Sequence, residues 1–264
     1  MNIETYYLIV TYVLFGLFGL CVGSFLNVVI YRLPNGMSLA KPNSHCPKCK
    51  YELRWYDNIP VISYLILGGK CRSCKTHISF RYTAVELANM IMWLASALLF
   101  WERSMVMAII YAIVSSLFIC IFFIDLEHQI ILDRFQIMLL ALGIAATFCD
   151  VDYKWHSHLI GGAAGFLSFF LIAWIFEAIY KTEGLGGGDV KLAGVAGLLL
   201  GWERLLLALL VATIPAAIIM SVLSRGKDGE ERRFPFAPFL VIGFSVAMLF
   251  GADIIGWYMS LVGI

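Results

Sequence analysis

The run Thr5-Tyr-Tyr-Leu-Ile-Val-Thr-Tyr-Val-Leu-Phe-Gly-Leu-Phe-Gly-Leu-Cys-Val-Gly-Ser-Phe-Leu-Asn-Val-Val-Ile-Tyr31 contains no charged residue. A helix needs ~20 mostly apolar residues to cross the hydrocarbon core of a bilayer, and this stretch has that length and more. It is too long for the ~7–15-residue apolar core of a cleavable signal peptide. Glu4 precedes it, with no Lys or Arg before that. We therefore read a retained membrane helix.

The rest of the chain repeats the pattern. Long uncharged runs occur at Met105–Ile124, Trp155–Phe176, Leu205–Ser224 and Phe234–Ala252, and shorter apolar runs at Leu87–Trp101, Phe135–Cys149 and Val190–Trp202, the last carrying only Lys191 as a charge. Composition agrees: 61% of the residues are hydrophobic and 14% are charged, against roughly 25% charged in soluble domains. Lipid must cover what polar side chains do not. Buried backbone groups must pair within each segment, which makes the spans helices. The expectation is an all-α polytopic membrane protein of about eight transmembrane helices, with bilayer lipid as its surroundings and no nucleic-acid partner.

Lys and Arg set the orientation. The loop from Arg32 to Arg81 holds nine of the nineteen basic residues, opposed only by Glu52 and Asp57. With eight spans, the loops 126–134, 181–189 and 225–233 fall on the same side. That side collects sixteen basic residues, counting Lys191; the other has Arg103, Lys154 and Arg204. The basic side is read as cytoplasmic, and both termini face outward. Gly19/Gly23, Gly161/Gly165 and Gly197/Gly201 have small-xxx-small spacing, read as helix packing within one bundle.

The segment division is 1–31, a first transmembrane helix; 32–83, a small cytoplasmic domain; and 84–264, a helical bundle. The cytoplasmic domain carries Cys46-Pro-Lys-Cys49 and Cys71-Arg-Ser-Cys74. Two CxxC knuckles present four thiolates, the donor set of a tetrahedral zinc ion. A reducing cytoplasm disfavours disulfides there. Four cysteines leave no open coordination position, so the zinc is read as structural. His45 and His77 are surplus. Cys21, Cys120 and Cys149 lie in apolar runs and read as small core residues.

Two acids end apolar runs. Asp125 closes the third span and Asp189 opens the sixth, so both fall on the basic side. Ionisable groups at membrane depth are expensive and frequently functional. A carboxylate at a helix end is by itself ordinary, and Asp189 also reads as a helix N-cap. The approach to Asp189 is less ordinary: Gly184-Leu-Gly186-Gly-Gly188-Asp189-Val-Lys191. Those glycines permit positive φ and close backbone approach. The GxxxxGK[ST] pattern of a phosphate-binding loop is absent. Paired carboxylates suit aspartyl proteolysis, in which one polarises a carbonyl and the other activates water.

Gly184-x-Gly186-x-Gly188-Asp189-x-Lys191 resembles the signature of GxGD intramembrane aspartyl proteases, in the form found in bacterial prepilin peptidases. Gly23-Ser-Phe-Leu-Asn27, Tyr31-Arg32-Leu-Pro34, Trp55-Tyr-Asp-Asn-Ile-Pro60, Gly69-Lys-Cys71, Ile78-Ser-Phe-Arg81 and Asp125-Leu-Glu127 are similar to that family in the same order. Three positions depart from it: Leu132 replaces the usual proline before Asp133, Thr83 replaces a proline, and Met90 stands where a glycine is common.

The resemblance implies catalysis by Asp125 and Asp189, with Gly184, Gly186, Gly188, Lys191 and Glu127 shaping the loop and substrate contacts, and Cys46, Cys49, Cys71 and Cys74 holding zinc. It implies cleavage of the leader from type IV prepilins or pseudopilins at the cytoplasmic face of the bacterial inner membrane. It also implies N-methylation of the new terminus from S-adenosylmethionine, at a site the sequence does not locate. Helix polarity further suggests Asp189 as resting base and Asp125 as resting acid. The rival readings are a proton-coupled transporter using the two acids as relays, and an inactive zinc-stapled membrane scaffold. A zinc protease is excluded by the lack of HExxH.

Overall fold

The computed structural model describes residues 3–182, 184–224 and 235–263, with side chains left undescribed at 222–224. The basic residues between 225 and 233 lie outside the described residues. All regular structure within them is helical: α1 Ile3–Arg32, α2 Ile62–Ile66, α3 Arg81–Phe100, α4 Met105–His128, α5 Asp133–Cys149, α6 Trp155–Tyr180, α7 Gly187–Leu200, α8 Trp202–Ser224 and α9 Ala237–Val262. Six of these, α1, α3, α4, α6, α8 and α9, are long and apolar enough to cross a membrane. The chain is thus a multi-pass membrane protein. The two further expected spans are present as α5 and α7, of 17 and 14 residues. At 1.5 Å per residue they are about 26 and 21 Å long, short of the ~30 Å core. The last helix runs past its expected end at Ala252, because one acid, Asp253, does not stop it.

Two compact units divide the chain, Met1–Leu98 and Leu99–Ile264. In the first, α1 and α3 pack through glycine. A Cβ on Gly19 would lie 2.9 Å from Met90 Cα, and one on Gly23 would lie 2.8 Å from Glu86 Cα. Amides stitch this seam: Asn89 donates to Gly19 O at 2.7 Å and Asn27 to Tyr82 O at 3.0 Å. In lipid such backbone-directed bonds and close small-residue contacts replace the hydrophobic drive.

In the second unit α4 is the central helix. Tyr111, Phe118, Ile121 and Ile124 are fully buried, and Phe118 meets Phe244 of α9 at a ring separation of 6.1 Å. Helices α6 and α7 meet backbone to backbone. A Cβ on Gly161 would strike Gly197 O, and one on Gly197 would strike Gly161 O. The two expected small-residue pairs therefore face each other. Gly201 turns α7 into α8 with φ +83°, and a Cβ there would sit 2.7 Å from Ser157 Oγ, so both conformation and space demand glycine.

One end of this unit is closed by a buried charge cluster, formed where α5 ends and α6 and α8 begin. Arg204, 1% exposed, donates to Tyr111 Oη and Asp150 Oδ2 at 2.9 Å and to Asp152 Oδ2 at 3.0 Å. Its guanidinium lies 4.2 Å from the Tyr153 ring centroid. His158 Nδ1 donates to Leu198 O at 3.0 Å, leaving Nε2 3.6 Å from Asp150 Oδ2. Arg204 was expected only as one of three scattered outside charges; its partners lie some fifty and ninety residues away in sequence.

Candidate active site

The opposite end of the second unit gathers the C-terminus of α4 with the N-termini of α5, α7 and α9. Asp125 lies in the last full turn of α4 and is 6% exposed. Its carboxyl is faced by the backbone N–H of Ala237, the first residue of α9, while Oδ2 is buried without a hydrogen-bond partner among the described residues. Gln129 then caps α4 in the left-handed conformation, φ 54°, and its N–H returns to Asp125 O at 2.9 Å. Four residues later, at Asp133, α5 begins.

Asp189 sits at the third position of α7. Gly186 is the N-cap, so Asp189 is one turn further in than an N-cap. Its Oδ2 folds back to within 3.3 Å of where a Gly186 Cβ would stand, and its Oδ1 is buried with no partner among the described residues. The approach glycines do not adopt positive φ; Gly186 has φ −65°. What they supply is room. A Cβ on Gly188 would come 3.1 Å from Ile131, and one on Gly184 would enter the Phe176 ring. Gly187, by contrast, faces open space.

The loop is held from α5. Buried Gln136 donates from Nε2 to Gly188 O at 2.9 Å, and Asp133 accepts from Lys191 Nζ at 2.7 Å. The ion pair is exposed on both sides, 71% for Asp133 and 53% for Lys191, and so contributes about 0–1 kcal/mol. The Gln136 bond is buried and aligns the residue before Asp189. Sequence reasoning passed over Gln136, although a lone amide at the second position of the apolar run 135–149 was a signal. The Asp189 carboxyl lies near enough to Asp125 to feel its charge. Glu127, two residues beyond Asp125, is exposed. The helix-polarity reason for assigning base and acid weakens here, because Asp125 ends α4 but also faces the N-terminus of α9.

In the first unit the two CxxC segments fold as matching knuckles. Cys46 N–H bonds Tyr51 O at 2.9 Å and Cys71 N–H bonds Thr76 O at 2.8 Å; Lys50 and Lys75 complete the turns at φ 59° and 58°. All four Sγ atoms lie within 4.8 Å of one another, with Cys46–Cys74 at 3.8 Å and Cys49–Cys71 at 3.9 Å. Four sulfurs ~2.3 Å from one tetrahedral zinc ion stand about 3.8 Å apart, so the cluster fits such an ion. The Thr76 hydroxyl and amide draw Cys74 down to about 6. The Tyr51 amide also favours the Cys49 thiolate, but desolvation and the three neighbouring sulfurs push it up to about 11. A divalent cation removes that repulsion.

Asp57 ties the knuckles together. It accepts from Arg72 Nε at 2.7 Å, Arg54 N at 3.2 Å and Tyr51 Oη at 3.3 Å, with its side chain 1% exposed. Burial opposes the charge, but these donors, Arg72 foremost, hold the carboxyl below the usual carboxylate range. The sequence offered Asp57 only as one of two acids opposing nine cations.

Among known proteins, residues 17–100 match the bacterial peptidase A24 N-terminal domain and residues 112–221 match the type IV leader peptidase family. A Pseudomonas aeruginosa protein named prepilin leader peptidase/N-methyltransferase is 34% identical over 94% of this chain and 93% of its own length. The chain belongs to the type IV leader peptidase family. Family members of the same name from Legionella pneumophila, at 32% identity over 94% of both chains, and from Myxococcus xanthus, at 39% over 81% of this chain and 64% of its own, are also similar. No solved structure matches this member of the family.

Proposed function

We propose that this chain removes the leader peptide from type IV prepilin-like precursors by two-aspartate hydrolysis and methylates the exposed amine. The observation that carries the first activity is the pair itself. Asp125 and Asp189 arrive on different helices at one end of the unit, each with a buried carboxyl oxygen that no group among the described residues satisfies. Orphaned buried oxygens of this kind are costly unless a substrate or water uses them. One carboxyl, protonated, donates to the scissile carbonyl. The other, ionised, takes a proton from water as its oxygen attacks that carbon. The tetrahedral species then expels the amine, which leaves with a proton from the dyad.

Gly186 and Gly188 let the loop lie close against Asp189 and Ile131, Gly187 faces open space where an extended peptide would lie, and Gln136 and Lys191 hold that loop against α5. Glu127, exposed beside Asp125, is placed to meet the substrate. The Lys/Arg asymmetry makes this end cytoplasmic, at the inner membrane, and the short α5 and α7 set the dyad at the membrane edge. A proton relay would place its acids nearer the middle of long spans.

Zinc bound by Cys46, Cys49, Cys71 and Cys74 is structural: it would staple segment 32–83, which lies between the first span 1–31 and the bundle 84–264. The second activity takes its methyl group from S-adenosylmethionine, and rests on the names of relatives that cover most of the chain. The test is mass spectrometry of a prepilin peptide incubated with the purified protein, with and without that donor. Loss of the leader mass alone, then a further methyl mass when donor is added, is the expected result. An intact precursor in both samples refutes the peptidase, and a cleaved but unmethylated product refutes the second activity.

A further inference from the structure

The charge cluster around Arg204 leaves one donor unused. The guanidinium gives its Nη atoms to Tyr111, Asp150 and Asp152, but Nε is buried with no partner among the described residues. An unmet donor on a buried cation is costly, so an acceptor is missing there. Beside it lies a cavity of about 40 Å³, lined by Arg204 with Phe100, Arg103, Met248, Leu249 and Asp253. Helix α9 passes over the arginine stem at Gly251, where a Cβ would come 3.0 Å from Arg204 Cγ. Arg103 and Asp253 are exposed, so the cavity reaches the surface between one cation and one anion.

We propose that this cavity binds the headgroup of a zwitterionic aminophospholipid of the surrounding bilayer. A phosphate oxygen accepts from Arg204 Nε and from Arg103, and the ammonium faces Asp253.

Size, level and charge each narrow the ligand. The volume exceeds the ~10–15 Å³ that one water needs and is far below the ~300 Å³ of a small-molecule site, so a small polar group enters and the rest of the ligand stays outside. The level is that of headgroups. Trp155 and Trp202 open α6 and α8 at this end, Trp257 lies near the end of α9, and all three indoles are exposed, as in an interfacial aromatic belt. The cavity and the cluster behind it hold two cations, Arg103 and Arg204, against three carboxylates, Asp150, Asp152 and Asp253. An anionic headgroup would add a further negative charge, which is disfavoured; a zwitterion brings its own cation to Asp253.

The test is native mass spectrometry of the purified full-length protein with phosphatidylethanolamine and phosphatidylglycerol of matched chains at equal concentration. Wild type should retain more of the ethanolamine lipid, by up to about fivefold, the range of an exposed ion pair. Asp253→Asn should bring the ratio to about one. Arg103→Gln should lower retention of both lipids, and Ala252→Phe, which fills the cavity, should abolish it. Thermal midpoints in lipid-free detergent report on the fold; if Ala252→Phe does not fold, the exposed Asp253→Asn and Arg103→Gln decide. Inorganic phosphate at millimolar concentration should leave the lipid in place. No retained lipid, which would mean water alone fills the cavity, overturns the proposal. So does equal retention of the two lipids by wild type, an unchanged preference in Asp253→Asn, or displacement by phosphate, which would mark a plain anion site.

Discussion

Replacing Arg204 by Met removes the one cation, among the described residues, that donates a hydrogen bond to Asp150. The two carboxylates it serves are not equivalent. Asp150 is 2% exposed and Asp152 is 26% exposed, at nearly equal distances of 2.9 and 3.0 Å. Asp152 can be rehydrated when the guanidinium is gone; Asp150 cannot. Stranding one buried charge by removing its partner costs about 3–5 kcal/mol, whereas a screened pair is worth about 0–1 kcal/mol. Arg204→Met is therefore expected to lose about 3–5 kcal/mol and Asp152→Asn less than about 1. At roughly 2–4 °C per kcal/mol for a unit of this size, the first lowers the apparent midpoint by about 6–20 °C. Adding Asp150→Asn to Arg204→Met removes the stranded charge and should recover much of the loss, so the two changes are non-additive. The assay is thermal unfolding of detergent-purified variants. Leader cleavage well below the midpoint should persist, because the cluster is at the other end of the unit from Asp125 and Asp189. Equal losses for Arg204→Met and Asp152→Asn, or strict additivity of Arg204→Met with Asp150→Asn, would refute the reasoning.

Gly197→Ala should lower the midpoint, since its Cβ meets the Gly161 carbonyl and lies 2.6 Å from Gly161 C, all backbone that cannot rotate away; overpacking of this kind costs about 1–3 kcal/mol. Gly16→Ala, which meets nothing within 4 Å, is the control and should lose no stability in the same melt. Gln136→Leu removes the donor to Gly188 O and, at about 1 kcal/mol for a neutral hydrogen bond, should lower kcat about fivefold in a peptide-cleavage assay without unfolding the protein. Asp57 has a carboxyl held below its ordinary range, so its stabilisation of the loop is full above the unfolded value near ~4 and fades as pH falls through the lowered one. Hydrogen exchange in the loop should therefore separate Asp57→Asn from wild type at neutral pH, with the gap closing in acid.

The membrane architecture was legible because each span is an unbroken apolar run with its own local signature, and even the short α5 and α7 kept enough of it to be read. The four cysteines were legible for the same reason: the CxxC spacing is local, and the matched turns at Lys50 and Lys75 follow from it. Asp125 and Asp189 were read as a pair because charge asymmetry alone puts both on one side of the membrane. What the sequence concealed was partnership over distance. Asp57 looks like any loop acid until Arg72 folds onto it. Gln136 is one amide in a helix until α7 brings Gly188 beside it. Arg204, Asp150 and Tyr111 carry no mark of belonging together. The glycines before Asp189 were read as permitting positive φ and close backbone approach; α7 begins at Gly187 and runs through Gly188, and there it is the close contact with Ile131, rather than the backbone angle, that accounts for glycine.

The central claim is that Asp125 and Asp189 act together on the scissile bond. Its most direct test is leader cleavage by Asp125→Asn, Asp189→Asn and the double variant, each with an unchanged melting profile. A shared mechanism predicts that either single change abolishes cleavage and that the double loses no more than the singles. Cleavage at the wild-type rate by either folded single variant would contradict it.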